Sequence, residues 1–146
     1  SARGPIAAEL LRNQELEQEY VIDSRGMVAL FPEPDNQKAE AVMRSVKLTL
    51  ENHVSQQFEG EDLSEDTLVL TLEEAQKWKI KAENENIQNI YTLNEFAGDP
   101  TEIPNPYGKS LAAYGECREL LEKMIAAVAE KLNSLAGGEE QWEKYM

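Results

Sequence analysis

The residues best placed to do chemistry lie in 96–121, Phe-Ala-Gly-Asp-Pro-Thr-Glu-Ile-Pro-Asn-Pro-Tyr-Gly-Lys-Ser-Leu-Ala-Ala-Tyr-Gly-Glu-Cys-Arg-Glu-Leu-Leu. Pro100, Pro104 and Pro106 fall close together with Gly98 and Gly108, and the stretch opens directly into a strongly helical run. Each proline fixes its own φ and pushes the preceding residue out of the helical region, so this is a stiff loop. A stiff loop docked on a helix can hold a side chain at a set point in space, which catalytic and binding loops need and plain linkers do not. Asn105, between two prolines, reads on its own as a turn residue. Cys117 falls on the apolar stripe of the following helix and reads as a core side chain, not a nucleophile. Arg3, taken alone, is a surface arginine, and His53 a structural, hydrogen-bonded histidine. With one cysteine and one histidine in the chain, a zinc site would need mostly carboxylate ligands and is discounted.

The elements that must position these residues follow from periodicity. A helix is predicted from almost the first residue to Asn13, with Pro5 at its first position and Ile6, Ala7, Leu10 and Leu11 on one face. Tyr20 to Ser24 reads as a short buried strand ending near Gly26. Asp35 can cap a second helix with Ala39, Val42, Met43 and Val46 on one face. Residues 47–66 are mixed, and Gly60 to Asp66 is an acidic, exposed connection. Thr67 to Leu72 is nearly continuously apolar, as for a strand buried on both faces. Glu73 to Glu83 is helical in propensity, and Ile87 to Leu93 makes another strand. After the proline loop, Leu111, Tyr114, Cys117, Leu121, Ile125, Val128 and Leu132 advance in steps of three or four, a long amphipathic helix. Gly137-Gly138 ends it. Helices and strands therefore alternate, which predicts an α/β sheet with parallel strands over residues 1–136, followed by an acidic tail, 137–146. A strand normally leads such folds, and here none precedes the first helix.

At 146 residues with 41% apolar content, the chain fits one domain with a real core. Its formal charge of −14 argues against nucleic acid and anionic membranes, which are bound through clustered Lys and Arg. It leaves room for one phosphate group held by local donors. A single cysteine excludes an intrachain disulfide and suits a reducing cytoplasm. No apolar run approaches the roughly 18 residues that span a bilayer. No cofactor is implied.

The run Ile103-Pro104-Asn105-Pro106-Tyr107-Gly108-Lys109-Ser110-Leu111, with Tyr114 beyond it, resembles the Asp-Pro-Tyr/Phe-Gly general-acid loop of the low-molecular-weight protein tyrosine phosphatases. Arg3-Gly4-Pro5-Ile6-Ala7-Ala8-Glu9 resembles the Arg-Ser-Pro-Met-Ala-Glu start of that family's first helix. Ser24-Arg25-Gly26 resembles its Ser-Ala-Gly turn, and Leu50 to Ser55 around His53 its Leu-x-x-His-x-Ser segment. Leu68 to Glu74 and Tyr91 to Phe96 follow in the same order. The resemblance implies a three-layer α/β sandwich of the flavodoxin-like phosphatase I type, with a four-stranded parallel sheet. Its first, central strand and most of its phosphate loop would precede Ser1. Losing a central strand would leave rows of backbone groups unpaired, so the natural protein is expected to be longer.

The chemistry the resemblance implies is phosphomonoester hydrolysis through a cysteinyl-phosphate, on phosphotyrosine-like substrates or, in some bacterial members, phosphoarginine. Carried over by position, Ser1, Ala2, Arg3 and Gly4 bind phosphate, with Arg3 as the phosphate arginine. Amides at a helix start hold a dianion and an arginine offers it two parallel hydrogen bonds. Gly4 stands where the family has Ser or Thr. Asn105 takes the catalytic general-acid position, and an amide gives up no proton at neutral pH. Tyr107 lines the pocket mouth beside the substrate, and Ser24 and His53 support the loop. The nucleophilic cysteine would lie six residues before Arg3 and is not in the sequence. Two readings follow: a phosphatase acting on a phosphorylated protein or small aryl phosphate, or a catalytically inactive phosphate-binding homologue. An arsenate reductase on the same fold is a distant third, because the extra cysteines that pass electrons are absent.

Overall fold

A computed structural model describes residues 2–27 and 35–136 of the chain. Its elements are α1 (Arg3–Arg12), α2 (Asp35–Arg44), a 3-10 turn (Gly60–Asp62), β1 (Val69–Thr71), α3 (Glu74–Glu83), β2 (Ile90–Thr92), α4 (Leu93–Ala97) and α5 (Leu111–Leu135). Helix α5 organises the packing. It starts where the Ser110 hydroxyl accepts the Ala113 N–H at 3.2 Å, a side-chain cap that satisfies one orphan amide of the first turn. From there Tyr114, Cys117, Leu121, Ile125, Val128 and Leu132 are buried, so the predicted stripe faces the core along its length. Leu111 is the exception: it sits at the first turn beside the loop and is 52% exposed. Helices α1, α2 and α4 all pack on α5. Ile6, Leu10, Met43, Phe96, Tyr114 and Leu121 belong to one continuous core, with Leu68, Leu70 and Leu72 packed against it from the β1 region.

The sheet is parallel, with Val69 opposite Ile90, Leu70 opposite Tyr91 and Thr71 opposite Thr92. The crossover between the two strands is α3, which packs on both. The α/β architecture with parallel strands is as predicted, and the described residues contain two strands in ladder pairing. Tyr20 to Ser24, expected as a buried strand, makes no ladder among the described residues. Val21 is 98% exposed, and only just beyond, at Gly26, is there a parallel bridge, to Gln57. The reason is spatial: a cleft separates this segment from β1, and a strand with no backbone within reach cannot pair.

Smaller corrections have local causes. Arg3, not Pro5, opens α1, and Pro5 sits within the first turn, where its missing N–H costs no intrahelical bond. The strand expected to run to Leu93 stops at Thr92, because the Thr92 hydroxyl caps the short helix α4 by accepting Glu95 N–H at 3.1 Å. Gly98 closes α4 at φ 69°, a left-handed conformation suited to glycine. Helix α2 opens on Asp35 itself, and the side-chain cap expected of it lies outside what is described, as do Gly137-Gly138 and the acidic tail.

Leu121 is fully buried at the middle of α5. Leu121→Ala should therefore lower unfolding free energy by about 2–5 kcal/mol in a urea titration, the usual cost of a core cavity of that size.

Candidate active site

Arg3 is 4% exposed although it is the first residue of α1. A guanidinium cannot shed its charge, so burying it demands partners. Its Nη1 donates to the Ile103 carbonyl at 2.9 Å, and its Nη2 pairs with Glu73 Oε1 at 2.5 Å. Glu73 is the residue that precedes α3, immediately past β1, and Ile103 lies in the proline loop. One side chain thus joins the start of α1, the C-terminal end of β1 and the loop that carries Asn105. The C-terminal ends of parallel strands are where open α/β sheets place their ligands.

The loop is held at two points three residues apart. Ile103 and Pro106 are buried, while Asn105 and Tyr107 are exposed. Tyr107 N–H donates to Asn105 Oδ1 at 3.2 Å, and Lys109 N–H donates to the Pro106 carbonyl at 2.9 Å, with Gly108 at φ 72° closing the turn. The Asn105 carboxamide therefore has a turn-forming role whatever else it does. The far side is fastened by Lys38 of α2, whose Nζ donates to the Lys109 carbonyl at 2.6 Å. On the near side, Asn94 Nδ2 donates to the carbonyls of Asp99 at 3.0 Å and Thr101 at 2.5 Å.

Six residues assigned to the site from sequence line one cleft of about 1260 Å³: Ala2, Arg3, Gly4, Ser24, His53 and Tyr107. It lies between residues 18–27 and β1. Asn105 is not in that lining, and Ser1 lies outside the described residues. Gly4 faces Ser24: a Cβ built on Gly4 would meet the Ser24 Cβ at 3.6 Å, an ordinary contact, so the Ser or Thr of the resembling family fits there. His53 is half-buried. Burial holds its pKa below the usual histidine value, the Arg12 charge adds to this, and Asp23 opposes it. Cys117 is buried under the site, and burial pushes its thiol up to about 11 despite the nearby Arg3 charge. A neutral, enclosed thiol is a poor nucleophile.

Sequence reading missed Glu73 and Lys38. Glu73 carried one signal, its place just after the most apolar strand, where an α/β sheet ends in its ligand-facing edge. Lys38 carried none, because a lysine on an amphipathic helix has no feature that marks a carbonyl contact 71 residues away.

A proton-sensitive consequence follows from His53. Because its pKa is depressed in the folded state, the unfolded chain binds more protons below pH about 6.5. The contribution is complete above that pH and is lost as pH falls toward the folded value. NMR titration should place the His53 midpoint below about 6.5, and the pH dependence of urea stability in that window should diminish in His53→Asn. Gly4→Ser should fold, with stability unchanged or raised by up to about 1 kcal/mol, since glycine within a helix is the less favourable residue.

Comparison with known proteins agrees with this fold. The family model described as low molecular weight phosphotyrosine protein phosphatase matches residues 1–136. A probable low molecular weight protein-tyrosine-phosphatase, EpsP, of Ralstonia nicotianae is 31% identical over 134 residues, covering 91% of this chain and 90% of the relative. Among solved structures, the YwlE arginine phosphatase of Geobacillus stearothermophilus superposes with a TM-score of 0.77 at 28% identity, over 97% of this chain and 88% of that one. The tyrosine phosphatase Wzb of Escherichia coli K30, in complex with sulphate, gives 0.76 at 28% identity, over 89% and 90%. Among the described residues no helix is long and apolar enough to cross a membrane. A parallel α/β fold, a buried arginine opening the first helix and a proline-stiffened loop tied to it are joined by a match across 1–136: the chain belongs to the low molecular weight phosphotyrosine protein phosphatase family.

Proposed function

We propose that the complete protein is a phosphomonoester hydrolase working through a cysteinyl-phosphate, on phosphotyrosine-like or phosphoarginine groups of a protein or small molecule in the cytoplasm. The observation that carries this reading is Arg3, buried as the first residue of α1 and hydrogen-bonded to the loop that bears Asn105. The names of the relatives, tyrosine phosphatases and an arginine phosphatase, support it.

In this reading residues preceding Ser1 supply a strand and the attacking thiol, six residues before Arg3. Three features of the cleft favour a strand there among the described residues: β1 pairs on one side only, Val21 on the cleft wall is exposed, and the buried Asn89 Oδ1 has no hydrogen-bond partner. Arg3 and the amides around Ala2 and Gly4 bind the phosphate dianion, where helix-start amides and a guanidinium fork act together. Those same amides lower the thiol pKa. Ser24 and His53 support the loop from the facing wall, and Tyr107 flanks the substrate. The thiolate attacks phosphorus, the leaving oxygen departs, and water then cleaves the S–P bond to release phosphate.

Asn105 favours a second reading, a phosphate- or phosphoprotein-binding homologue without turnover. Assay of the complete protein on para-nitrophenyl phosphate separates the two. Turnover is expected, with Asn105→Asp raising the rate on phosphotyrosine by about 10²–10⁴-fold, the usual value of a positioned acid. No turnover, together with vanadate binding by calorimetry that disappears in Arg3→Ala, would establish the binding homologue instead.

A further inference from the structure

The segment 103–110, Ile-Pro-Asn-Pro-Tyr-Gly-Lys-Ser, contains no carboxylic acid. The position from which a leaving group would be protonated is filled by Asn105, and the backbone around it has little freedom to offer anything else. Pro104 and Pro106 flank it, Gly108 holds the turn at φ 72°, Ile103 is fastened to Arg3, and Lys109 to Lys38. The Tyr107 N–H donates to Asn105 Oδ1 at 3.2 Å, so the carboxamide is itself part of the turn. An amide N–H donates a hydrogen bond but keeps its proton.

Nearby acids among the described residues do not substitute: Glu73 is engaged as the counter-ion of Arg3, at 2.5 Å from its Nη2. Asp99 Oδ1 accepts the Thr101 N–H at 2.9 Å, and that contact holds its carboxyl below the usual range, so it is an ionised acceptor with no proton to give. Glu102 precedes the buried Ile103 and the rigid Pro104, outside the turn that presents Asn105.

A leaving group at this site must therefore depart as its own conjugate base. How costly that is depends on its basicity: about 10 for the tyrosine phenol and above 12 for a guanidine, against about 4 for a carboxyl group. In the loose transition state of phosphoryl transfer, charge builds on the leaving atom with little compensation from the nucleophile. Resting on the phosphatase reading above, we propose that this site is selective for phosphoryl groups on acidic leaving groups, acyl phosphates first, and is slow on phosphotyrosine and phosphoarginine. In the first step the thiolate forms the S–P bond, the P–O bond to the acyl oxygen breaks, and the carboxylate leaves with the bonding pair and no proton. In the second, water forms a new P–O bond and the thiolate leaves. The proton released by the water goes to solvent and to the departing phosphate.

The test is kcat/KM of the complete natural protein, which reports steps up to the cysteinyl-phosphate, on acetyl phosphate, dinitrophenyl, para-nitrophenyl and phenyl phosphates, phosphotyrosine and phosphoarginine. A steady fall with leaving-group pKa, acetyl phosphate highest, is expected. Asn105→Asp should narrow the ratio between acetyl phosphate and phosphotyrosine by about 10²–10⁴-fold. An aspartyl-phosphorylated protein assayed beside acetyl phosphate tells whether the acyl phosphate is taken from a macromolecule or only as a small molecule. Equal kcat/KM across the series overturns this selectivity and leaves the phosphatase reading standing. No turnover even of acetyl and dinitrophenyl phosphates overturns the phosphatase reading and the selectivity with it. The wild-type series needs no variant, so a misfolded Asn105→Asp does not blunt it.

Discussion

The burial of one guanidinium is the constraint on which the rest depends. Arg3 cannot lose its charge, and leaving it unpaired in the interior would cost several kcal/mol. Its contacts to Glu73 and to the Ile103 carbonyl come from segments 70 and 100 residues away. The start of α1, the end of β1 and the proline loop can therefore satisfy Arg3 only in one mutual arrangement. On the proposed reading, the same arrangement would bring helix-start amides and a guanidinium to the ligand-facing edge of a parallel sheet.

Around that point the core and the polar contacts divide the work. Helix α5 supplies the apolar floor, with Tyr114, Leu121 and Ile125 buried beneath α1 and α4. The loop above it is fixed by hydrogen bonds and prolines rather than by apolar burial, with Asn94 holding one arm and Lys38 the other. A loop that presents side chains must expose them, so only some of its residues can anchor it. Ile103 and Pro106 are spent in this way, and Asn105 and Tyr107 are presented.

How far the sequence showed this differs by the kind of force involved. The stripe of α5 was legible because burial is periodic and periodicity is local; the apolar run of β1 marked a strand, but Val69 and Leu70 are only half-buried beside the cleft, not covered on both faces. The loop was legible because prolines act on their own neighbours. Arg3 gained its meaning from the Gly-Pro helix start beside it. What was not legible is long-range and polar: Glu73 facing Arg3, Lys38 reaching Lys109, and Asn105 Oδ1 taken by the Tyr107 amide. Tyr20 to Ser24 misled for the opposite reason. Its β-branched and aromatic residues describe a strand, but a strand is completed by a neighbour, and no composition supplies one. Leu111 fitted the stripe by spacing and is half-exposed because the helix begins there, before the core surrounds it.

On the proposed reading, a protein of net charge −14 would hold a phosphate dianion, which looks self-defeating until distance is considered. Exposed charges are screened over about 8 Å at physiological salt, so most surface carboxylates contribute little at the site. A buried guanidinium is screened far less, and Arg3 is buried. Glu73 complicates this, because it already offsets the Arg3 charge at 2.5 Å. The pair is close to neutral, and a dianion arriving beside it gains orientation from the guanidinium fork more than net charge. The remaining attraction must come from backbone amides at the start of α1, whose dipoles need no counter-ion and add nothing to the net charge. Binding is then short-ranged and geometric, and the acidic surface costs it encounter rate at low salt more than affinity.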